Sequence, residues 1–164
     1  MFNVGDKVVY PVHGVGTIEM VEEREVLGKK QLYYFLKLDL AGMTMMIPVD
    51  QSDKVRLRAV SHDDNIENVL STLNEPCGNL RLDWKIRYSN NHEKLKEGSV
   101  RSLSEIVRDL FHRNIIKELS RGEKKLYDSA FQLLCDELSY SQNEEKELIE
   151  SSILNHLKSQ KTPA

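Results

Sequence analysis

The sequence predicts an α+β protein of two domains, with a small five-stranded β-barrel at residues 1–60 and an all-α bundle of about five helices at residues 61–164. Two observations predict this class. Apolar residues alternate with period two before residue 60, as on strands, and follow a helical period after it. Glycine and proline punctuate the first part closely and are rare in the second. Five short strands in about sixty residues can hardly form a stable open sheet, so a barrel is favoured.

The barrel strands are predicted from short apolar runs between turn residues. They cover residues 6–10, 16–22, 31–38, 43–47 and 54–58. Leu27-Gly28-Lys29-Lys30 is typical of a hairpin turn, and Pro48 ends the fourth strand because it lacks a backbone donor. A barrel of this size and strand number is SH3- or Tudor-like.

The helices are predicted from apolar stripes and from residues that begin or end a helix. They lie near residues 63–74, 80–96, 100–117, 121–139 and 143–159. A serine followed three residues later by an acidic residue, the capping-box pattern, begins at Ser61, Ser102, Ser120 and Ser141. Stop signals occur at Pro76-Cys77-Gly78, Gly98 and Gly122. Apolar stripes at helical spacing predict core positions at Leu103, Ile106, Val107, Leu110, Leu126, Ala130, Leu133 and Leu134.

The composition excludes several classes of protein. No stretch approaches the roughly 18 apolar residues of a membrane helix, and the first residues lack the features of a secretory signal, so we expect a cytoplasmic protein with no membrane contact. Cys77 and Cys135 are isolated in sequence and predict two reduced, semi-buried thiols. Phosphate-loop, dinucleotide, HExxH and GxSxG motifs are absent, and the five histidines lie at least 20 residues apart. We therefore expect no enzyme, no metal site and no cofactor.

Charge is unevenly distributed along the chain. The net charge of −3 by itself disfavours binding to nucleic acid. Residues 81–125, however, contain 12 basic and 7 acidic side chains, a net charge of +5, whereas residues 126–164 have a net charge of −4. A basic segment inside an acidic protein can bind DNA weakly at one face, but it cannot coat DNA.

Trp84, the only tryptophan, lies in Arg81-Leu82-Asp83-Trp84-Lys85-Ile86-Arg87-Tyr88. On a helix, positions 81, 84, 87 and 88 share a face, which places the indole among cations. Two interpretations stay open. Either the indole anchors the helix in the core while the arginines extend to solvent, or it is an apolar wedge between phosphate-binding cations, suited to minor-groove insertion or base stacking.

Residues 43–47, Met-Thr-Met-Met-Ile, form the fourth predicted strand. If Met43, Met45 and Ile47 face the core, Met46 points outward. An exposed methionine and the unpaired backbone groups of an edge strand would together offer a contact surface to a partner. The alternative is a strand that is buried on both faces.

Several blocks along the chain resemble those of a known family. The opening resembles that of the CarD/CdnL bacterial transcription regulators, in Phe2-x-Val4-Gly5-Asp6-x-Val8-Val9-Tyr10-Pro11-x-His13-Gly14-Val15-Gly16. Three later blocks are similar to the same family. The first is Trp84-x-x-Arg87-Tyr88 with Lys94-Leu95 and Gly98, the second is Val107-Arg108-Asp109-Leu110, and the third is Leu119-Ser120-x-Gly122-Glu123-Lys124-Lys125. The transcription-repair coupling factor shares the first domain. Because the blocks cover nearly the whole chain with no helicase segment, a stand-alone family member is favoured.

The resemblance implies a Tudor-like domain that binds the β subunit of RNA polymerase, and a helical domain that contacts promoter DNA at the upstream edge of the bubble and stabilises the open complex. We expect polymerase contacts from Arg24, Met46, Ile47 and Pro48. We expect DNA contacts, weak and non-specific without polymerase, from Arg81, Trp84, Lys85, Arg87, Lys124 and Lys125. Two positions depart from relatives. Met46 stands where several carry a second polymerase-contacting arginine, and Ser89 where some carry lysine.

A second function stays open, a non-catalytic protein–protein adaptor with no DNA contact, in which Trp84 belongs to the core. The sequence also leaves open whether the protein is a monomer or a strand-exchanged dimer. It does not indicate which promoters respond or whether the effect is activation or repression.

Overall fold

A computed structural model describes residues 1–61, 65–78 and 80–163 of the chain. The chain divides into two compact units, Met1–Val60 and Ser61–Ala164. In these residues the first unit is a five-stranded antiparallel sheet and the second contains five helices, so the predicted fold class is confirmed.

The β unit consists of β1 (Lys7–Tyr10), β2 (Gly14–Val26), β3 (Lys29–Leu38), β4 (Thr44–Pro48) and β5 (Arg58–Ala59). The strands pair in the order β4-β3-β2-β1-β5, and a 3-10 turn at Val49–Gln51 precedes β5. This order is typical of SH3- and Tudor-like domains. One face of the sheet carries the core, which consists of Val8, Ile18, Tyr34, Leu36, Leu38, Ile47 and Leu57.

A long hairpin of β2 and β3 extends past this core, and residues 22–30 are exposed. Leu27 and Gly28 at its tip have φ values of 52° and 79°, as in the type I′ turn whose twist matches that of paired strands. Near its base, a Cβ on Gly16 would lie 2.6 Å from the carbonyl oxygen of Lys37. Only glycine therefore permits this close approach of β2 and β3.

The fifth strand is shorter and begins later than predicted. Only Arg58 and Ala59 pair with β1, so the predicted strand at residues 54–58 is wrong. Before them the chain turns, because Arg56 has a φ of 59° and the Leu57 amide donates to the Ser52 carbonyl. The apolar alternation that suggested a strand arises because Val55 and Leu57 both pack against the core from this turn.

The helical unit consists of α1 (Ile66–Asn74), α2 (Trp84–Glu97), α3 (Val100–Ile116), α4 (Arg121–Gln142) and α5 (Lys146–Ser159). α3 packs against α1, α2 and α4, while α5 packs against α4 and α1. The predicted stripes are core, with Leu133 only partly buried and the other seven residues buried.

The helix starts agree with the predicted caps only in part. Ser120 caps α4, where its Oγ accepts from the Glu123 amide. The predicted cap at Ser102 is wrong because Ser99, three residues earlier, accepts from the Ser102 amide. Ser141 lies inside α4, so it does not begin α5. The box at Ser61 depends on residue 64 and the predicted first helix on residue 63, both outside the described residues.

Two further boundaries bear on the sites described below. Gly98 ends α2 in the left-handed region, with a φ of 71°, as the stop signal predicted. Gly122, by contrast, lies in the first turn of α4 and ends nothing. α2 begins at Trp84 and not near residue 80, because Asp83 has a non-helical backbone with ψ of 138°.

Candidate nucleic-acid and protein interfaces

Trp84 is the first residue of α2, and 53% of it is exposed. The interpretation of Trp84 as a core anchor is therefore wrong. The ammonium of Lys85 lies 5.8 Å from the centroid of the indole ring, within cation–π range. The first turn of α2 thus presents an aromatic ring with a cation directly beside it.

Arg87 does not lie with these surface groups. Only 8% of it is exposed, and its Nε and Nη2 each lie 2.8 Å from Oε1 of Glu123. Its Nη1 donates to the carbonyl of Leu82 at 2.7 Å. A guanidinium buried and bonded in this way is not available to a phosphate, so the predicted DNA contact by Arg87 is corrected.

The buried pair of Arg87 and Glu123 instead holds in place the elements that carry Trp84. The ion pair joins α2 to the first turn of α4, and the bond to Leu82 holds the segment that leads into Trp84. A Cβ on Gly122 would lie 3.5 Å from the ring of Tyr88, so the same turn of α4 also packs closely on α2. The sequence indicated Glu123 as part of a capping box and of a block that resembles the family, but it indicated no partner for the carboxylate. Its ion pair joins residues 36 apart and has no signal in local spacing.

The other predicted DNA-contacting residues are exposed but are not all together. Lys85 is on α2, while Arg81 lies in the turn before α2 and not on a shared helical face. Lys124 and Lys125 are exposed near the start of α4. Lys124 lines a separate depression between α3 and α4 with Phe111 and Tyr127. α4 therefore packs against α2, but Lys124 lies on a different surface from the indole of Trp84.

In the β unit, β4 is an edge strand, since β3 is its only neighbour in the sheet. Met46 is 45% exposed and Ile47 is buried, so the alternative of a strand buried on both faces is wrong. The Ile47 side chain faces the barrel core, as the sequence pattern indicated, so the polymerase contact expected at Ile47 stays a prediction for the main chain of its edge strand. Met43 precedes the strand and is exposed, so it does not face the core, while Met45 packs partly against it.

The outward face of the sheet is more apolar than the sequence indicated. Directly paired residues share a face, and the register aligns Met20, Phe35 and Met46 in one row across three strands. Tyr33 and Pro48 form the next pair on that face. We call Met20, Phe35, Met46 and Pro48 the outer face. Met20 and Phe35 were missed because only the strand register reveals them.

Arg24 extends over this outer face. Its guanidinium carbon lies 5.2 Å from the centroid of the Phe35 ring, and its Nη2 lies 3.1 Å from Oε2 of Glu22. The side chain is about half exposed. The face therefore combines apolar area, the cation of Arg24 and the free edge of β4, a combination suited to binding another protein.

Within the described residues, no three side chains of His, Cys, Asp or Glu are grouped as a metal site would require. Among the helices in those same residues, none has both the length and the apolar character needed to cross a bilayer.

Comparisons with known proteins found a matching family model for each of the two units. The family model described as "CarD-like/TRCF RID domain" matches residues 2–61, and that described as "CarD, C-terminal domain" matches residues 68–154. The chain is 37% identical over 138 residues to "Putative transcription factor YdeB" of Bacillus subtilis (strain 168), which covers 84% of this chain and 90% of that protein. The solution NMR structure of the 72-residue N-terminal domain of Myxococcus xanthus CarD is 29% identical, covers 36% of this chain and 79% of its own, and has a TM-score of 0.32.

Proposed function

Because this chain belongs to the CarD family of transcription regulators, we propose that it binds the β subunit of RNA polymerase through its β unit and stabilises the open promoter complex through its helical unit. In this proposal the protein performs no catalysis. Its effect comes from binding the open complex more tightly than the closed one. The observation that carries the proposal is the exposed indole of Trp84 at the start of α2, with Lys85 beside it.

On the polymerase side, the proposal rests on the edge of β4 and on the outer face. A partner strand that pairs with β4 would be held by main-chain hydrogen bonds, which require no particular side chain. Met46, Pro48 and Arg24 would then contact the partner beside that strand. Met46 replaces a charged contact with a soft apolar one, so recognition by this chain relies on packing and main-chain bonds.

On the DNA side, the energies favour action on DNA that is already melted. Unstacking a base step costs a few kcal/mol, which a small protein with few phosphate contacts cannot supply on intact duplex. At a promoter that polymerase has opened, this cost has already been met. An indole that stacks at the edge of the bubble need then favour the open state by only about 1.4 kcal/mol to shift the equilibrium tenfold. Attachment to polymerase supplies the high effective concentration that a weak contact needs.

The test is Trp84→Ala in a polymerase open-complex assay. The variant should melt at the same temperature as the parent protein, because the lost side chain is mostly exposed. It should still bind polymerase. The lifetime of the open complex after challenge with competitor should fall by a factor that corresponds to losing about 1–3 kcal/mol of base stacking.

Ile86→Ala is the matched control, since Ile86 is an exposed apolar residue in the same turn of α2. It should leave the lifetime unchanged. Equal lifetimes for Trp84→Ala and the parent protein, with both bound to polymerase, would contradict the DNA contact and leave the adaptor function.

A further inference from the structure

The outer edge of β4 presents backbone groups that pair with no strand in residues 1–61. Bonded and non-bonded residue pairs alternate along antiparallel strands, and the Leu38 amide donates to the Met43 carbonyl at 2.9 Å. The backbone groups of Met43 and of every second residue after it therefore point toward β3. Those of Thr44 and Met46 point away from β3, as does the carbonyl of Pro48.

The position of Pro48 agrees with this assignment. Proline has no N–H, so within a sheet it is tolerated at an edge where that donor would face solvent. Pro48 lies opposite Tyr33 at such a position, and no bond between β3 and β4 is lost. The edge therefore presents the donors and acceptors of Thr44 and Met46 together with the lone acceptor of Pro48.

This arrangement of groups is complementary to itself. When a second copy of β4 lies antiparallel to the first, with a two-fold axis beside Met46, each Met46 donates to the other and accepts from it. Each Thr44 then lies opposite Pro48 of the second copy and donates to its carbonyl. Every donor on the edge is used, and the missing donor of Pro48 leaves only the Thr44 carbonyl to water.

The side chains match as well as the backbone. The axis keeps the two outer faces on one side of the joined sheet, so the row of Met20, Phe35 and Met46 continues into the same row of the second copy. Met46, which is 45% exposed in one copy, is covered by its counterpart. Methionine suits such a contact because its flexible side chain adapts to its neighbour.

Charge does not oppose this contact. β4 has no ionisable side chain, whereas edge strands that resist self-pairing commonly carry lysine or another charge. The row of Lys37 and Thr44 continues into the row of Pro48 and Glu22 of the second copy. The first charges on either side of the seam in these rows are therefore opposite in sign.

We infer that two copies of this chain associate edge to edge through β4, with both sheets intact, and that this pairing closes the edge to any other strand. The consequence rests on the proposed function, because polymerase is assigned there to the same edge. The seam is only five residues long, so it buries far less than the roughly 1,200 Å² of specific, stable interfaces. The dimer is therefore weak, with a Kd on the order of 100 µM, and a partner that makes further contacts displaces the second copy.

The test is sedimentation velocity of the full-length protein from about 10 µM to about 1 mM, a range that brackets this Kd. The average mass of the parent protein should rise with concentration toward that of two chains. Met46→Arg should weaken association at least about tenfold, because two guanidinium groups then meet at the axis. Thr44→Pro should weaken it by a similar factor, since it removes only a donor on the free edge.

Leu27→Arg is the matched control. It adds the same charge to an exposed apolar position of the same unit, at the tip of the β2–β3 hairpin, and should associate as the parent does. Because Met46 and Leu27 are both exposed, both variants should keep the melting temperature of the parent. Equal association of Met46→Arg and the control would overturn the inference, as would a parent protein that stays monomeric throughout.

Cross-linking tests the register of the pairing. Met46→Cys should form a disulfide-linked dimer on oxidation with diamide, because Cα atoms about 5.5 Å apart lie within the range that a disulfide spans. Thr44→Cys should not, because the two copies of this residue lie on opposite sides of the axis, roughly 14 Å apart. The parent protein measures the background from Cys77 and Cys135. Equal linkage in the two variants would show random collision and would contradict the pairing.

An exchange of strands between two copies would also double the mass. Such a dimer separates only when both β units unfold, so it would persist after dilution, whereas edge-paired copies separate at once. It would also form in Met46→Arg. A dimer with these two properties would overturn the inference in favour of strand exchange.

The polymerase β subunit connects the inference with the proposed function. Its addition should replace the parent dimer by a complex that holds one copy of this chain, and a complex with two copies joined through β4 would overturn the closure of the edge. If the parent stays monomeric but β4 captures the β subunit, the proposed function stands and the inference is wrong. If dimers that depend on β4 form but the parent does not bind the β subunit, the pairing stands and the proposed function is wrong.

Discussion

The two cysteines differ in how far the fold suppresses their chemistry. Cys135 is fully buried in the helical core, and desolvation, with a smaller effect from Glu150, raises its pKa to about 12. Cys77 is only partly buried, but desolvation and then the nearby Asp109 raise its pKa as well. Since the thiolate is the reactive form, both side chains are less reactive at neutral pH than a free cysteine. Neither thiol has the lowered pKa that a redox or nucleophilic role requires.

We therefore predict that the folded protein reacts slowly with a neutral disulfide reagent. A raised pKa means that less thiolate is present at any pH below it, so the rate at Cys77 should keep rising with pH beyond 9, its unperturbed value. Cys135 should react only when the protein unfolds. Thiol titration with and without denaturant measures both. A Cys77→Ser variant isolates Cys135, and rapid labelling of that variant while folded would contradict the prediction.

At this scale the sequence predicted which residue types matter but not where their side chains point. The single tryptophan in a basic segment marked the site, yet the sequence left open whether its side chain is buried, and it placed the start of α2 near residue 80 and not at Trp84. Arg87 was assigned to DNA because it shares a helical face with Trp84. It is buried because Glu123, far away in sequence, meets it inside the unit. Local periodicity contains no information on a pair of this kind.

Among the elements, α2 is the least able to hold its own position. It buries only three residues, Arg87, Asn91 and Leu95, and two of these are polar. Its attachment to the bundle therefore depends strongly on the Arg87–Glu123 pair, in which Glu123 is 1% exposed. Because Trp84 begins this helix, the same pair sets the position of the indole.

Arg87→Ala should lower the free energy of unfolding by about 3–5 kcal/mol, because it leaves the buried Glu123 carboxylate without its counter-charge. The double substitution Arg87→Met/Glu123→Leu should recover most of this loss, since it removes both buried charges. Urea unfolding measures the difference. Arg101→Ala, which breaks an exposed pair with Glu75, is the control and should change stability little. A similar loss for Arg87→Ala and Arg101→Ala would show that the buried pair does not anchor α2.

Element existence was predictable, whereas element boundaries were less so. Apolar stripes marked α3 and α4, because burial of one face is what the sequence pattern records, and start and stop residues helped to mark the other helices. Serine caps were ambiguous in the run Ser99-Val100-Arg101-Ser102, where either serine satisfies a cap locally and packing selects Ser99. β5 was misplaced because an apolar alternation also arises when two residues of a turn reach the core.

Across the whole molecule, the two units differ in charge, and the proposed function gives them different roles. Residues 1–60 have as many basic as acidic side chains, eight of each, whereas the basic excess lies in residues 81–125 and an acidic excess follows it. A protein with net charge −3 does not accumulate on DNA by electrostatics alone. In the proposed function the β unit therefore supplies affinity for the transcription complex, and the helical unit needs only a weak contact once it is held there.

This division predicts that the isolated β unit, residues 1–60, folds and captures the polymerase β subunit. The unit has its own core and all five strands, and the Val60 amide closes it by donating to the Lys7 carbonyl. Domains of about 60 residues are only marginally stable but can fold alone. A pull-down with the isolated β subunit measures binding, and circular dichroism confirms that the fragment is folded.

Substitutions on the outer face make this prediction sharper. Arg24→Glu should weaken capture, because it reverses the one charge held over Phe35. Met46→Arg should leave capture intact or strengthen it, since Met46 points away from the core and the new cation adds a charged contact beside the edge strand. Lys54→Glu, an exposed charge reversal in the turn before β5, serves as the control and should have no effect.

A folded fragment that fails to capture the β subunit would contradict the assignment of polymerase binding to the β unit. Loss of capture in Met46→Arg would show instead that the partner packs tightly on Met46, with no room for a longer side chain.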